Sequence, residues 1–177
     1  MDSEIQISSN HVFEGRLLNL RVDTVAMPDG TETVREIVEH EDASVIVPLD
    51  KDGNIIMVLQ YRYSVRQALL ELPAGLVEKL ESPASCAQRE LREETGYSAS
   101  TLTELGGFWP SPGFCNEFIH VFLAKDLEYN PLEADDDENI KVVSFPFDKV
   151  MHMVSDGQIK DGKTIIALRM AFSELCK

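Results

Sequence analysis

Three carboxylates fall within five residues of this chain: Glu90, Glu93 and Glu94, in the run Arg89-Glu90-Leu91-Arg92-Glu93-Glu94. On a helix, Glu90 and Glu94 are i,i+4 neighbours and Glu93 is i,i+3 from Glu90, so all three share one arc of the surface. Like charges so placed repel, and an isolated helix is weakened by them. A hard divalent cation reverses the sign, because Mg²⁺ or Mn²⁺ takes carboxylate oxygens and bridges to substrate phosphates. The spacing therefore offers metal-assisted phosphate chemistry, with a solvated acidic helix face as the plain alternative.

The helix that must carry these groups has readable ends. Ser82 is a candidate N-cap and Pro83 suits the first helical position. The pattern runs to about Thr95, and Gly96 is a natural residue just past the end. Ala84, Ala87 and Leu91 share a face away from much of the acidic arc, so one side is expected to pack while the other meets solvent and metal. Upstream, residues 68–72 form a short apolar run interrupted by Glu71 and read as a strand, which Pro73 stops. Gly75 is expected to let the chain turn there.

Residues 44–49 and 54–61 are apolar runs joined by Asp50-Lys51-Asp52-Gly53. They predict a hairpin buried on both faces, fraying or edge-placed at Pro48. Residues 1–40 read as a small meander: a polar opening, a strand over 17–26, the turn Pro28-Asp29-Gly30, and a strand over 31–38. Such a meander is too small to stand alone. Strands are expected over 102–108 and 117–124, separated by the loop 109–114. An acidic loop, Asp135-Asp136-Asp137-Glu138, precedes a strand over 140–145. Helices are expected near 147–155 and 163–175, the second with a packing stripe at Ile165, Leu168, Ala171 and Phe172. The sum is a mixed sheet with helices on its faces, an α/β architecture.

At 177 residues and 44% hydrophobic content, the chain is expected to bury a substantial core as a globular protein. A formal net charge of −15 argues against binding nucleic acid or an anionic membrane by bulk charge. An anionic substrate is still accessible if bound cations and a few arginines set the local potential. Cys86, Cys115 and Cys176 follow no CxxC or zinc spacing and read as reduced thiols. With a polar, acidic start and no apolar run near ~18 residues, a cytoplasmic protein is expected. Residues 157–164 fit the P-loop pattern, but the preceding segment has a helical pattern and Asp161 as a helix N-cap explains the run better. His11, His40, His120 and His152 are scattered and read as surface or core residues rather than ligands.

The acidic run also resembles the Nudix box, G-x5-E-x7-R-E-U-x-E-E-x-G-U with U apolar, at Gly75, Glu81, Arg89, Glu90, Leu91, Glu93, Glu94, Gly96 and Tyr97. The resemblance implies a mixed-sheet α/β/α sandwich, here with an N-terminal antiparallel strand meander. It implies a Mg²⁺-dependent hydrolase, with Mn²⁺ as a substitute, whose metal ligands are Glu90 and Glu94 assisted by Glu93. Arg89 would orient the carboxylates, and Glu81 would bond within the box loop or act on metal indirectly. Beyond the box, the chain is similar to the ADP-ribose pyrophosphatase branch. Glu71-Leu72-Pro73-Ala74-Gly75 resembles the segment where a backbone carbonyl, here that of Ala74, helps hold metal. Pro112 and the loop Ser111-Pro112-Gly113-Phe114-Cys115-Asn116-Glu117 resemble the branch's downstream loop, with Glu117 beside the substrate.

The same resemblance makes Glu117 and Glu138 both candidates for general base, with Glu93 also in the catalytic set. Arg35, Arg62 and Ser111 become substrate-binding candidates, and a guanidinium suits bidentate phosphate binding. Either arginine could instead make surface ion pairs. Trp109 and Phe114 are candidates to stack on a base or ribose, or to pack the loop. At His40-Glu41-Asp42-Ala43 the chain departs from the branch, which usually carries a proline and glycine after the histidine. The implied organisation is a meander over 1–40 that makes a homodimer and a hydrolase domain over 41–177. The implied activity is hydrolysis of ADP-ribose to AMP and ribose 5-phosphate. The alternatives are another nucleoside diphosphate sugar such as GDP-mannose, or a nucleotide-sugar-binding module without turnover.

Overall fold

The computed structural model describes residues 3–133 and 139–175. Glu138 and the acidic run before it, and also Cys176, lie outside the described residues. The chain forms two compact units, one of Met1–Asp42 with Trp109–Phe118, the other of Ala43–Phe108 with Ile119–Lys177.

The first unit is built on an antiparallel sheet of β1 (Ile5–Glu14), β2 (Asn19–Ala26) and β3 (Glu32–Glu39), with β2 in the middle. The two expected strands are present, and the polar opening proves to be a ten-residue strand as well. Its side chains are exposed throughout, so β1 is held by its ladder to β2 rather than by burial. The segment Trp109–Phe118 is tied into this unit by main-chain bonds. Val38 N–H donates to the carbonyl of Phe114 (2.7 Å), and Asn116 N–H to that of Val38 (3.3 Å). The side chains of Asn116 and Asp42 accept from His40 N–H (2.9 Å) and Phe118 N–H (3.1 Å). Asp42 thus holds the loop through its side chain.

The second unit contains β4 (Ala43–Pro48), β5 (Asn54–Arg62), β6 (Gln67–Glu71), β7 (Ala74–Leu76), α1 (Pro83–Thr95), β8 (Tyr97–Phe108), β9 (Ile119–Tyr129), β10 (Ile140–Pro146), α2 (Phe147–Ser155) and α3 (Gly162–Leu175). One sheet has the order β7-β4-β9-β8, the other β10-β5-β6. The first is mixed, because β4 runs parallel to β9 and antiparallel to β7. Strand alternation sorts its side chains into two cores. Val45, Val47, Val121 and Leu123 pack with Val150 of α2 and Ala167, Leu168 and Ala171 of α3. Ile46, Phe122 and Ala124 pack with Ala87 and Leu91 of α1. Helices therefore cover both faces, the α/β/α layering expected.

Three expectations are corrected. The runs around β4 and β5 do not form a hairpin. They enter different sheets and share one isolated bridge, Leu49↔Ile55, because β4 is claimed by β7 and β9. Gly75 is not a turn but the middle of β7, opposite Ser44. On α3 the fully buried stripe is Thr164, Ala167, Leu168 and Ala171, while Phe172 is exposed and stacks on Phe147. Pro48 ends its strand beyond the reach of β7, but it does not fray, being buried and paired with Ala124 of β9.

Candidate active site

Helix α1 begins and ends where its caps dictate. Ser82 Oγ accepts from Ser85 N–H (3.1 Å), Pro83 opens the helix, and Gly96 closes it at φ 80° with its N–H on the carbonyl of Arg92. That left-handed conformation is strained for a residue with a Cβ. Ala87 and Leu91 point into the core, whereas Ala84, expected on the same face, is exposed. The acidic arc is not simply solvated: Glu90 and Glu94 are only 8% and 7% exposed.

Arg89 organises the arc. Its Nε and Nη2 donate to the two oxygens of Glu81 (both 3.0 Å), and Nη1 donates to Glu90 (2.6 Å) and Glu93 (2.9 Å). Nη2 also donates to the carbonyl of Leu76 (3.0 Å). A guanidinium has five N–H donors, so Arg89 is fully spent on orienting its neighbours. Its hydrogen bonds to Glu81 lead the effects that raise its pKa far above the usual value, and they hold the Glu81 carboxyl below its own. Glu94 instead accepts from the N–H of Ala74 (3.1 Å), which ties the helix to β7. Gly75 explains itself here, since a Cβ at this position would run into the carboxyl group of Glu90. Only glycine leaves that carboxylate its place.

These donors suit a divalent cation in kind. Glu90, Glu93 and Glu94 offer hard carboxylate oxygens, two of them buried, backed by the backbone of β7. Among the described residues no three acidic, histidine or cysteine side chains already converge on one point. Arg89 Nη1 bridges Glu90 and Glu93, so a cation would compete with it for these oxygens.

Arg62 carries a feature that sequence reasoning missed. Its Nε and Nη2 grip the two oxygens of Glu71 (2.9 and 2.8 Å), and Glu71 is 1% exposed. Lys163 Nζ donates to the same carboxylate. Burial alone would raise the pKa of Glu71, but the hydrogen bonds from Arg62 and the charge of Lys163 outweigh it and hold the value low. The available signal was a glutamate inside an otherwise apolar strand.

The remaining candidates belong to the first unit. Arg35 pairs with Glu4 through Nε (3.0 Å) and Nη2 (2.6 Å) and lines a cavity of about 480 Å³ with Trp109, Pro112, Phe114 and Asn116. Ser111 offers its carbonyl to Phe114 N–H (3.2 Å) and Cys115 N–H (2.9 Å), closing the loop's turn. Glu117 sits ahead of β9 rather than opening it, with Oε1 3.7 Å from His40 Nδ1. Trp109 packs edge-on against Phe118, centroids 4.8 Å apart, while Phe114 is exposed.

Comparison with known proteins decides the family. The NUDIX domain family matches residues 39–168, and the nucleoside diphosphate sugar hydrolase N-terminal domain matches residues 4–38. The chain belongs to the Nudix family. This Nudix hydrolase is 38% identical to the ADP-ribose pyrophosphatase of Bacillus subtilis, over 94% of this chain and 91% of that protein. It is 42% identical to the ADP-ribose pyrophosphatase of Mycobacterium tuberculosis, over 86% and 75% of the two chains. A solved structure described as an ADP compounds hydrolase superposes with a TM-score of 0.89 at 25% identity, covering 99% of this chain and 96% of that one. Among the described residues no helix of this Nudix hydrolase is long and apolar enough to cross a membrane.

Proposed function

We propose that this Nudix hydrolase splits the pyrophosphate bond of ADP-ribose, adding water to give AMP and ribose 5-phosphate. The observation that carries the reading is the buried, Arg89-clamped carboxylate arc of α1 set against Gly75. The likeness to ADP-ribose pyrophosphatases supports the choice of substrate.

Glu90 and Glu94, assisted by Glu93 and the carbonyl of Ala74, would hold Mg²⁺, with Mn²⁺ as a substitute. When bound, such a cation neutralises phosphate charge and eases deprotonation of water. The chain's own groups do the rest. Arg62 keeps N–H donors beyond the two spent on Glu71, and a guanidinium edge suits phosphate oxygens. Arg35 and the Ser111 loop border the first unit's cavity and its aromatic residues, a place for base or ribose. Glu117 takes the general-base role in this reading, with Glu93 in support and Glu138, outside the described residues, as the other candidate.

The sheet of the first unit exposes Ile5, Ile7, Val12, Phe13 and Val34, apolar side chains that contact with a second copy would cover. We assign residues 1–40 to a homodimer contact and residues 41–177 to the hydrolase domain. Cys86 and Cys115 are free thiols, which fits a cytoplasmic setting.

Incubation with ADP-ribose and Mg²⁺, followed by chromatography, is expected to release AMP. No release at high enzyme concentration sinks the reading. A higher kcat/KM for GDP-mannose would transfer it to that substrate, and tight binding without turnover would favour a binding module.

A further inference from the structure

Glu71 is a buried carboxylate that the proposed reaction does not use. It ends β6 and accepts both arms of Arg62 and a further hydrogen bond from Lys163. Lys163 lies in the first turn of α3, and its ammonium also donates to Asp161 (3.0 Å). Asp161 caps that helix, accepting from Thr164 N–H (3.0 Å) and from the Thr164 hydroxyl (2.6 Å). Thr164 Oγ1 in turn accepts the N–H of Leu72 (2.8 Å). The start of α3 therefore grips the segment leading into the box twice, through the Glu71 side chain and through the Leu72 backbone.

The chemistry of the grip says what it is for. Only an ionised carboxylate accepts both parallel N–H groups of a guanidinium, because a protonated one turns an O–H outward at one oxygen. A carboxylate this buried stays ionised only if the charge around it is balanced. Lys163 supplies that balance beside Arg62, whose side chain is still 40% exposed. With Nε and one Nη2 donor fixed on Glu71, the plane of the guanidinium is set and its other donors are left for a ligand.

We propose that Lys163 is a positioning residue for the hydrolysis, acting through Glu71 to hold the Arg62 guanidinium in the plane that receives the substrate's diphosphate. This rests on the reading of the substrate as a nucleoside diphosphate sugar. Arg62 touches the ligand and Lys163 does not.

The test compares K163M, K163R, R62A and the R62A/K163M double variant with wild type. K163M should raise the KM for ADP-ribose about tenfold, the order expected for one charge-assisted hydrogen bond, with kcat little changed. R62A should do the same, the double variant should be no worse than R62A alone, and K163R should recover most of the loss. A readout without turnover accompanies these: the ¹H–¹⁵N resonance of Arg62 Nε, sharp in wild type, should broaden in K163M. Full additivity in the double variant, or a lower Tm with KM and the Nε resonance unchanged, overturns the proposal. If wild type does not hydrolyse ADP-ribose, the substrate reading fails, while the Nε resonance still judges the link from Lys163 to Arg62. Should K163M not fold, K163Q takes its place under the same expectations.

Discussion

Each carboxylate of the site has its own environment, and the environments predict different behaviour. Glu90 lies where Gly75 has no side chain, so Glu90→Gln should cut kcat by about 100-fold or more, the loss of a few kcal/mol of charge stabilisation, with little change in Tm. Unchanged activity in that variant would remove Glu90 from the ligand set. Gly75→Ala should be nearly as damaging to activity, because its Cβ must displace the Glu90 carboxyl. Glu71 makes a pH-dependent contribution. Its folded pKa is lowered, so its stabilisation is present above the unfolded value of about 4.3 and is lost as pH falls through the folded one. The Tm curves of wild type and Glu71→Gln should therefore differ at neutral pH and converge as acidification protonates Glu71 in the folded protein. Parallel curves would show that Glu71 does not carry this linkage. Burial pushes the Cys86 thiol up to about 12, so alkylation of the native protein at pH 8 should spare Cys86 and label Cys115. At this scale the sequence was legible where motif residues act through near neighbours, as Arg89 does on Glu90 and Glu93. It was opaque for Glu71, whose partner Lys163 is supplied by a helix far along the chain.

Among elements, α1 was the most readable, since Ser82, Pro83 and Gly96 decide its ends by local chemistry that needs no tertiary partner. Ser82→Ala should lower stability by about 1 kcal/mol through loss of the N-cap, seen in denaturant unfolding, while KM stays unchanged. A KM change would mean that the cap also shapes the site. Strand partners were much less readable. The short connection between β4 and β5 invites a hairpin, but β4 is buried on both faces and finds its neighbours in β7 and β9. Strand β1 was harder to read because its polar middle, Ser8-Ser9-Asn10-His11, interrupts the apolar alternation begun at Ile5 and Ile7. Gly75 misled for a related reason: a glycine after a proline looks like a turn, yet here it answers to a side chain on α1.

For the whole molecule, the mixed architecture and the family followed from the box and the run of elements, whereas the grouping of residues 109–118 with the N-terminal strands did not, because a long stretch of intervening sequence separates them. The proposed homodimer predicts about twice the 19.8 kDa chain mass in light scattering. Ile7→Lys with Phe13→Asp, on the exposed first strand, should reduce it to one chain mass. A wild-type monomer would end that proposal. Strand β4 has a further consequence for how the molecule comes into being. Its ladder joins residues 43–48 to residues 119–124, so the central pairing closes a loop of most of the hydrolase unit before any contact rewards it. Refolding should then be slow for a chain of this size, and a transient β4–β5 hairpin, the pairing its short connection favours, would be a trap that the arriving β9 must undo.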